Sequence, residues 1–150
     1  MSQNNPIRVF VRHSWEVSDD YLRVFEYLES ARNFFYLNLS LPDLARPVGK
    51  EAEREQIRRE MAQAEVVVGL PNLYRKHGEL IEFELTFAKA ANKPVILMRN
   101  FGAEAALPKT LTSLSDEIVD WDERALVDAL RRQARHEESN RWDTIEFKLD

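Results

Sequence analysis

The spacing of apolar residues along the chain alternates between two periods, every residue or every second one in short runs and every third or fourth in longer ones. Ile7-Arg8-Val9-Phe10-Val11 is β-branched and aromatic and follows Pro6, which predicts a strand that begins after a rigid turn. Tyr21, Val24, Phe25 and Leu28 then recur at helical spacing, with Ser18 placed as N-cap and Asp19 and Asp20 suited to the positive helix end. Phe34 to Leu37 is the next strand. Ser40, Pro42, Pro47 and Gly49 interrupt both patterns and predict a loop. From Glu51 to Gln63 a charged segment carries one thin apolar stripe, Ile57, Met61 and Ala64, which predicts an amphipathic helix.

Val66-Val67-Val68-Gly69-Leu70 and Pro94-Val95-Ile96-Leu97-Met98 are apolar on both alternating faces, as central parallel strands covered on both sides must be. A helix from about Glu79 to Ala91 separates them. Ile118-Val119 is a shorter strand, Asn100 to Asp116 is weakly patterned, and Glu123 to His136 is a last helix with Arg131, Arg132 and Arg135 near its negative end. Five strand-helix pairs in alternation predict an α/β, flavodoxin-like three-layer sandwich: a five-stranded parallel sheet, helices on both faces, right-handed crossovers. Ligands bind such sheets at the carboxyl ends of the strands. One domain is expected over residues 1–136. Residues 137–150 form a tail in which Ile145, Phe147 and Leu149 alternate with polar residues, as in an added edge strand.

Composition narrows the chemistry. The 150 residues include no cysteine, which excludes disulfides, thiolate metal sites and a cysteine nucleophile. Acidic residues outnumber basic ones by 26 to 21, so a general grip on nucleic acid is not expected. The first ten residues lack the basic and apolar regions of a secretory signal and no apolar run is long enough to span a bilayer, so a cytoplasmic protein without membrane contact is expected. His13, His77 and His136 are scattered and suggest no metal set. Neither GxGxxG nor GxxxxGK[ST] occurs, which removes the phosphate cradles of dinucleotide-binding and P-loop folds. The strand Val66 to Leu70 ends without the aspartate that a receiver domain would present there.

On a helical wheel Leu80, Phe83, Phe87 and Ala91 form an apolar stripe, with Glu79, Glu82 and Lys89 opposite. Glu84 departs from the other charges and falls among Leu80, Phe87, Ala88 and Ala91, on the face turned to the sheet, where an unpaired carboxylate carries a large desolvation cost. It is either functional or a structural glutamate that pairs with an arginine or snorkels to water. Arg12-His13-Ser14-Trp15, directly after the first strand, is placed to border a nucleotide or simply to cover the core. Asn38 to Gly49 is a lid or an idle connection. Tyr74, Arg75, Lys76 and His77 offer an aromatic ring and cations for a phosphate, or are a solvated loop.

Several stretches resemble the bacterial TIR-like domains, the family that includes the TIR subunit of Thoeris anti-phage systems. They are Val9-Phe10-Val11-Arg12-His13-Ser14-Trp15 with Asp19-Asp20-Tyr21, Asn38-Leu39-Ser40-Leu41-Pro42, Ala64 to Leu70, and Leu80-Ile81-Glu82-Phe83-Glu84-Leu85 followed by Ala88 and Lys93-Pro94-Val95-Ile96. The last is similar to the family's WxxxE helix, whose glutamate is catalytic in NAD-cleaving members; Leu80 stands here in place of the tryptophan. The pattern spans roughly Ile7 to Leu130.

The resemblance implies cleavage of the N-glycosidic bond at the nicotinamide ribose of NAD, the substrate, with no further cofactor. Glu84 would be the catalytic residue, and Arg12, His13, Ser14, Trp15, Asn38, Ser40 and Tyr74 the substrate-binding ones. It implies ADP-ribose or a cyclic ADP-ribose-type signal as product, anti-phage defence as context, self-association through the loop at Asn38–Gly49, and a nucleotide-sensing effector as partner. Two alternatives remain open: a non-catalytic TIR-like adaptor acting by homotypic assembly, which Leu80 favours, and a nucleoside deoxyribosyltransferase-like enzyme sharing the sheet and a glutamate.

Overall fold

The computed structural model describes residues 4–13, 15, 17–40, 46–72, 74–99 and 107–136. Ser14, residues 41–45 of the proposed lid and the alternating tail lie outside the described residues. The elements in chain order are β1 (Ile7–Val11), α1 (Asp19–Ser30), β2 (Tyr36–Asn38), α2 (Lys50–Met61), β3 (Val66–Gly69), α3 (Tyr74–Ala90), β4 (Val95–Met98), α4 (Lys109–Ser113), β5 (Glu117–Val119) and α5 (Glu123–Arg135). The five strands form one all-parallel sheet in the order β2-β1-β3-β4-β5. Val9 pairs with Val66, Val67 with Val95, and Leu97 with Ile118. The flavodoxin-like sandwich expected from the alternating periods is therefore present. Among the described residues no helix is long and apolar enough to cross a membrane.

Strand parity divides the core in two. Ile7, Val9, Val11, Val66, Val68, Ile96 and Met98 face α1 and α5, where they meet Tyr21, Val24, Leu28, Leu126 and Leu130. Phe10, Val67, Val95 and Leu97 point the other way and meet Ile57 and Met61 of α2, Ile81, Leu85 and Ala88 of α3, and Leu111 of α4. Successive side chains in a strand alternate faces, so Arg12, two residues after Phe10, is sent to the α2/α3 side. Local signals agree with the tertiary result at the helix starts. The Ser18 hydroxyl accepts from the Tyr21 amide at 3.1 Å, and the Asp122 carboxylate accepts from Ala125 at 2.8 Å.

Three expectations shift. The second strand is Tyr36–Asn38 and not Phe34 to Leu37, because this edge strand exists only where β1 pairs with it, from Ile7 opposite Tyr36 to Val9 opposite Asn38. Phe34, just before it, is buried under Arg131. The long helix begins at Tyr74, five residues before Glu79, so the segment read as a loop is its first turn. A break at His77, with φ −125° and ψ 25°, hides that turn from a periodic reading. The buried face of α3 is Ile81, Glu84, Leu85 and Ala88, rotated from the stripe of Leu80, Phe83 and Phe87. Phe83 and Phe87 instead stack on each other at the flank, where Arg54 and Arg58 cover Phe83.

Gly69 sets how closely α3 approaches the sheet. A Cβ there would lie 3.3 Å from both Cδ atoms of Leu85 and from Leu97 Cδ1, all in the closed core. Gly69→Ala is expected to cost about 1–2 kcal/mol in urea denaturation, as overpacked sites do. An unchanged midpoint would show that α3 can retreat freely.

Candidate functional site

The strand order reverses between β1 and β3, whose connections leave in opposite directions, and a doubly wound sheet opens its ligand crevice at that point. Arg12 spans it. Its amide donates to Val68 O at 3.0 Å, and its Nη1 donates to Leu70 O at 3.0 Å and Asn72 O at 3.1 Å, so the guanidinium closes the carboxyl end of β3. The side chain is buried, and its Nε lies 3.6 Å from Glu84 Oε1, an ion contact too long for a hydrogen bond.

Glu84 is 0 % exposed and, among the described residues, neither carboxyl oxygen has a hydrogen-bond partner. Burial pushes its pKa up to about 8; Arg12 opposes the rise and the Glu60 carboxylate adds to it. Its environment contrasts with that of Glu65, a carboxylate at the start of β3. Glu65 accepts from Arg135 Nη2 at 2.9 Å, from Arg135 Nε, and from the Arg8 amide at 3.1 Å. Burial pulls the Glu65 pKa up, but those donors outweigh it and hold the group below its ordinary value. Glu65 is thus a satisfied structural residue, whereas Glu84 lacks the hydrogen bonds that make a buried carboxylate structural. The earlier helix start also places Glu84 mid-helix and not in the early turns.

His13 and Trp15 join this neighbourhood through a residue absent from the sequence-based candidates. His13 Nε2 lies 2.9 Å from Glu60 Oε1, and the Trp15 amide donates to His13 Nδ1 at 2.8 Å. Glu60 is buried on α2, and the signal was available: it lies three residues after Ile57 and next to Met61, inside the apolar stripe. The Trp15 indole nitrogen is buried and has no hydrogen-bond partner among the described residues.

Asn38 and Ser40 form a separate, internally satisfied network. The Asn38 amide donates to Tyr21 Oη at 3.2 Å, Tyr21 Oη lies 2.8 Å from Ser40 Oγ, and Ser40 donates through both its amide and hydroxyl to Asn38 Oδ1. These groups hold α1 to the end of β2. Tyr74 is not brought to Glu84: its hydroxyl donates to Glu82, which raises its pKa, on a different face of α3.

One turn before Glu84, Leu80 lines a surface pocket of about 170 Å³ together with Arg46, Lys50, Glu53, Arg54, Lys76, His77 and Glu79. Four permanent cations face two carboxylates there. Arg46 pairs with Glu53 at 2.6 Å and Lys50 with Glu79 at 2.9 Å, which leaves a net positive lining. Arg46 also lies over the Trp15 ring, 5.7 Å from its centroid, and so connects the pocket to the loop after β1. Glu84 itself is not among the lining residues. No protein-family model matches the chain, and no curated protein matches it either.

Proposed function

We propose that this chain is a TIR-like enzyme that cleaves NAD at the nicotinamide ribose, forming ADP-ribose or a cyclic ADP-ribose-type signal in anti-phage defence. The observation that carries the reading is Glu84, a carboxyl beside the strand-order reversal, buried without a hydrogen bond among the described residues and one helical turn, about 5.4 Å along the axis, from a cationic pocket. A positive lining suits the pyrophosphate of a dinucleotide. The pyridinium leaving group is already cationic and needs little acid help, so the protein's task is to stabilise the positive charge that grows on the ribose. An ionised Glu84 does so, and its two oxygens are available to ribose hydroxyls. Water attacking the ribose carbon yields ADP-ribose, nicotinamide and a proton; an adenosine nitrogen or hydroxyl in its place closes a ring.

Because the buried carboxyl of the free protein titrates near 8, kcat/KM for NAD is expected to rise through neutral pH towards a limb near that value, where the ionised form predominates. The test is incubation of the pure chain with NAD, and separately with a deoxynucleoside, across pH 6 to 9. Nicotinamide release with the deoxynucleoside intact is expected. Cleavage of the deoxynucleoside alone would replace this reading with a deoxyribosyltransferase.

The complete burial of Glu84 favours a second reading, a non-catalytic TIR-like adaptor. Leu80 lines the pocket one turn before the carboxyl, and a leucine packs there without offering the aromatic stacking face of the family residue. Assembly belongs to both readings. An enzyme whose site is completed by a neighbouring copy gains specific activity with concentration, whereas an adaptor assembles with no turnover at any concentration.

A further inference from the structure

Glu60 has no part in the cleavage scheme, yet it occupies a place in the core where a leucine would pack without desolvating a charge. The helix around it offers such packing at Ile57 and Met61. Its two oxygens are both used, Oε2 accepting from Gln56 Nε2 at 3.0 Å and Oε1 facing His13 Nε2 at 2.9 Å. On the far side of the imidazole the Trp15 amide donates to Nδ1. An amide can donate only to a ring nitrogen that carries no proton, so the imidazole proton sits on Nε2 and is donated to Glu60. The ring is thereby oriented from both ends, and it packs edge-on against the Trp15 indole at 5.4 Å and 84°.

What the ring holds is an unusual backbone. Trp15 has φ 57°, in the left-handed region that bulky residues rarely occupy, and such a conformation persists only where its surroundings impose it. The indole so placed lies under Arg46 at the pocket and keeps its N–H buried, with no acceptor among the described residues. We propose that Glu60 is a positioning residue of the site: through the Nε2–H of His13 it fixes the ring whose Nδ1 holds Trp15 in its left-handed conformation, and so sets the indole beside the cationic pocket. This rests on the reading of Glu84 as the active-site carboxyl. Glu60 also acts on that group by charge. The charged groups acting on Glu84 are Arg12 at the end of β1 and Glu60 on α2, with His13 bonded to the latter.

The test uses the full chain labelled with nitrogen-15, whose Trp15 indole resonance is assigned by its loss in Trp15→Phe. Glu60→Leu removes both hydrogen bond and charge, and should move the Trp15 resonance and lower kcat/KM for NAD about tenfold. Glu60→Gln keeps an acceptor for Nε2–H. It should leave the resonance in place and shift only the limb of the pH profile towards acid by roughly one unit. His13→Asn supplies a local oxygen in place of Nδ1, so adding it to Glu60→Leu should restore the Trp15 resonance. A Trp15 resonance unmoved in Glu60→Leu, or not restored by His13→Asn, overturns the relay, as does a pH limb unmoved in Glu60→Gln. The resonance arm needs no turnover, so a chain that fails to cleave NAD would remove the proposed reaction while this arm still decides the relay.

Discussion

Glu84→Gln is expected to lower NAD turnover about 100- to 1000-fold, the usual loss when one preorganised electrostatic partner of a transition state is removed. The same substitution should make the fold more stable in alkaline solution. In the folded chain Glu84 keeps its proton up to about 8, while an unfolded glutamate releases it near 4.5. Between those values the folded state binds more protons than the unfolded one, so the wild-type chain loses stability as pH rises through the window. Below it the group has no effect, and above it the full cost of a buried charge is present. Glutamine keeps the shape and cannot ionise. The stability difference between variant and wild type should therefore be small at pH 4.5 and grow to on the order of 4 kcal/mol by pH 9. Urea denaturation of both proteins at several pH values measures it. A difference that stays flat with pH would mean that the carboxyl is hydrated in solution, and wild-type turnover by the variant would end its catalytic assignment.

The combination of lost activity and gained stability separates the two ways of reading a buried glutamate. A structural Glu84 would show the reverse, because removing one member of a well-made buried pair leaves its partner exposed to the full desolvation cost. Glu65 supplies an internal comparison: with its donors Arg8 and Arg135 in place, its loss should destabilise the chain at neutral pH.

Much of this arrangement was legible in residue pattern, and what was not has physical reasons. The doubly buried runs at Val66 and Val95 identify central strands because both their faces must be covered. Glu84 stands out because a wheel places it on the sheet side, although the true buried face is rotated towards Ile81 and Leu85. Aromatic residues misled the wheel: Phe83 meets the cations Arg54 and Arg58 with its face and Phe87 stacks on Phe83, so both flank the core without entering it. Glu60 escaped notice because α2 is so rich in charge that one more carboxylate carries little contrast. The start of α3 was missed since His77 and Gly78 break the period, while the turn before them is held by a bond from the Tyr74 amide to Pro71 O. For Asn38, Ser40 and Tyr74 the resemblance and the loop position do not show where a hydroxyl or amide points. Their hydrogen bonds to Tyr21, to each other and to Glu82 belong to local structure.

The partner of Glu84 was also within reach of strand parity, since Arg12 shares a face with Phe10, and its loss should be the most damaging single change in the site. Arg12→Met keeps much of the aliphatic volume but removes the guanidinium. Leu70 O and Asn72 O lose this donor, and Glu84 loses the only charge among the described residues that lowers its pKa. Leaving buried carbonyls without their donor costs about 1–3 kcal/mol for each. Arg12→Lys should recover part of it, because an ammonium can donate to the two carbonyls that Nη1 serves but leaves the Nε position beside Glu84 empty. The sign of the pH effect distinguishes this change from ordinary cavity formation. Without Arg12 the Glu84 pKa rises further, so the loss of stability with increasing pH extends beyond the wild-type window. Adding Glu84→Gln should remove that pH dependence and leave only the unmet carbonyls, so the double variant should be more stable than Arg12→Met at pH 9 and similar to it at pH 5. Urea midpoints of the two single variants and the double variant at both pH values test this. A Glu84→Gln gain at pH 9 no larger in the Arg12→Met background than in the wild type would show that Arg12 and Glu84 are not electrostatically coupled.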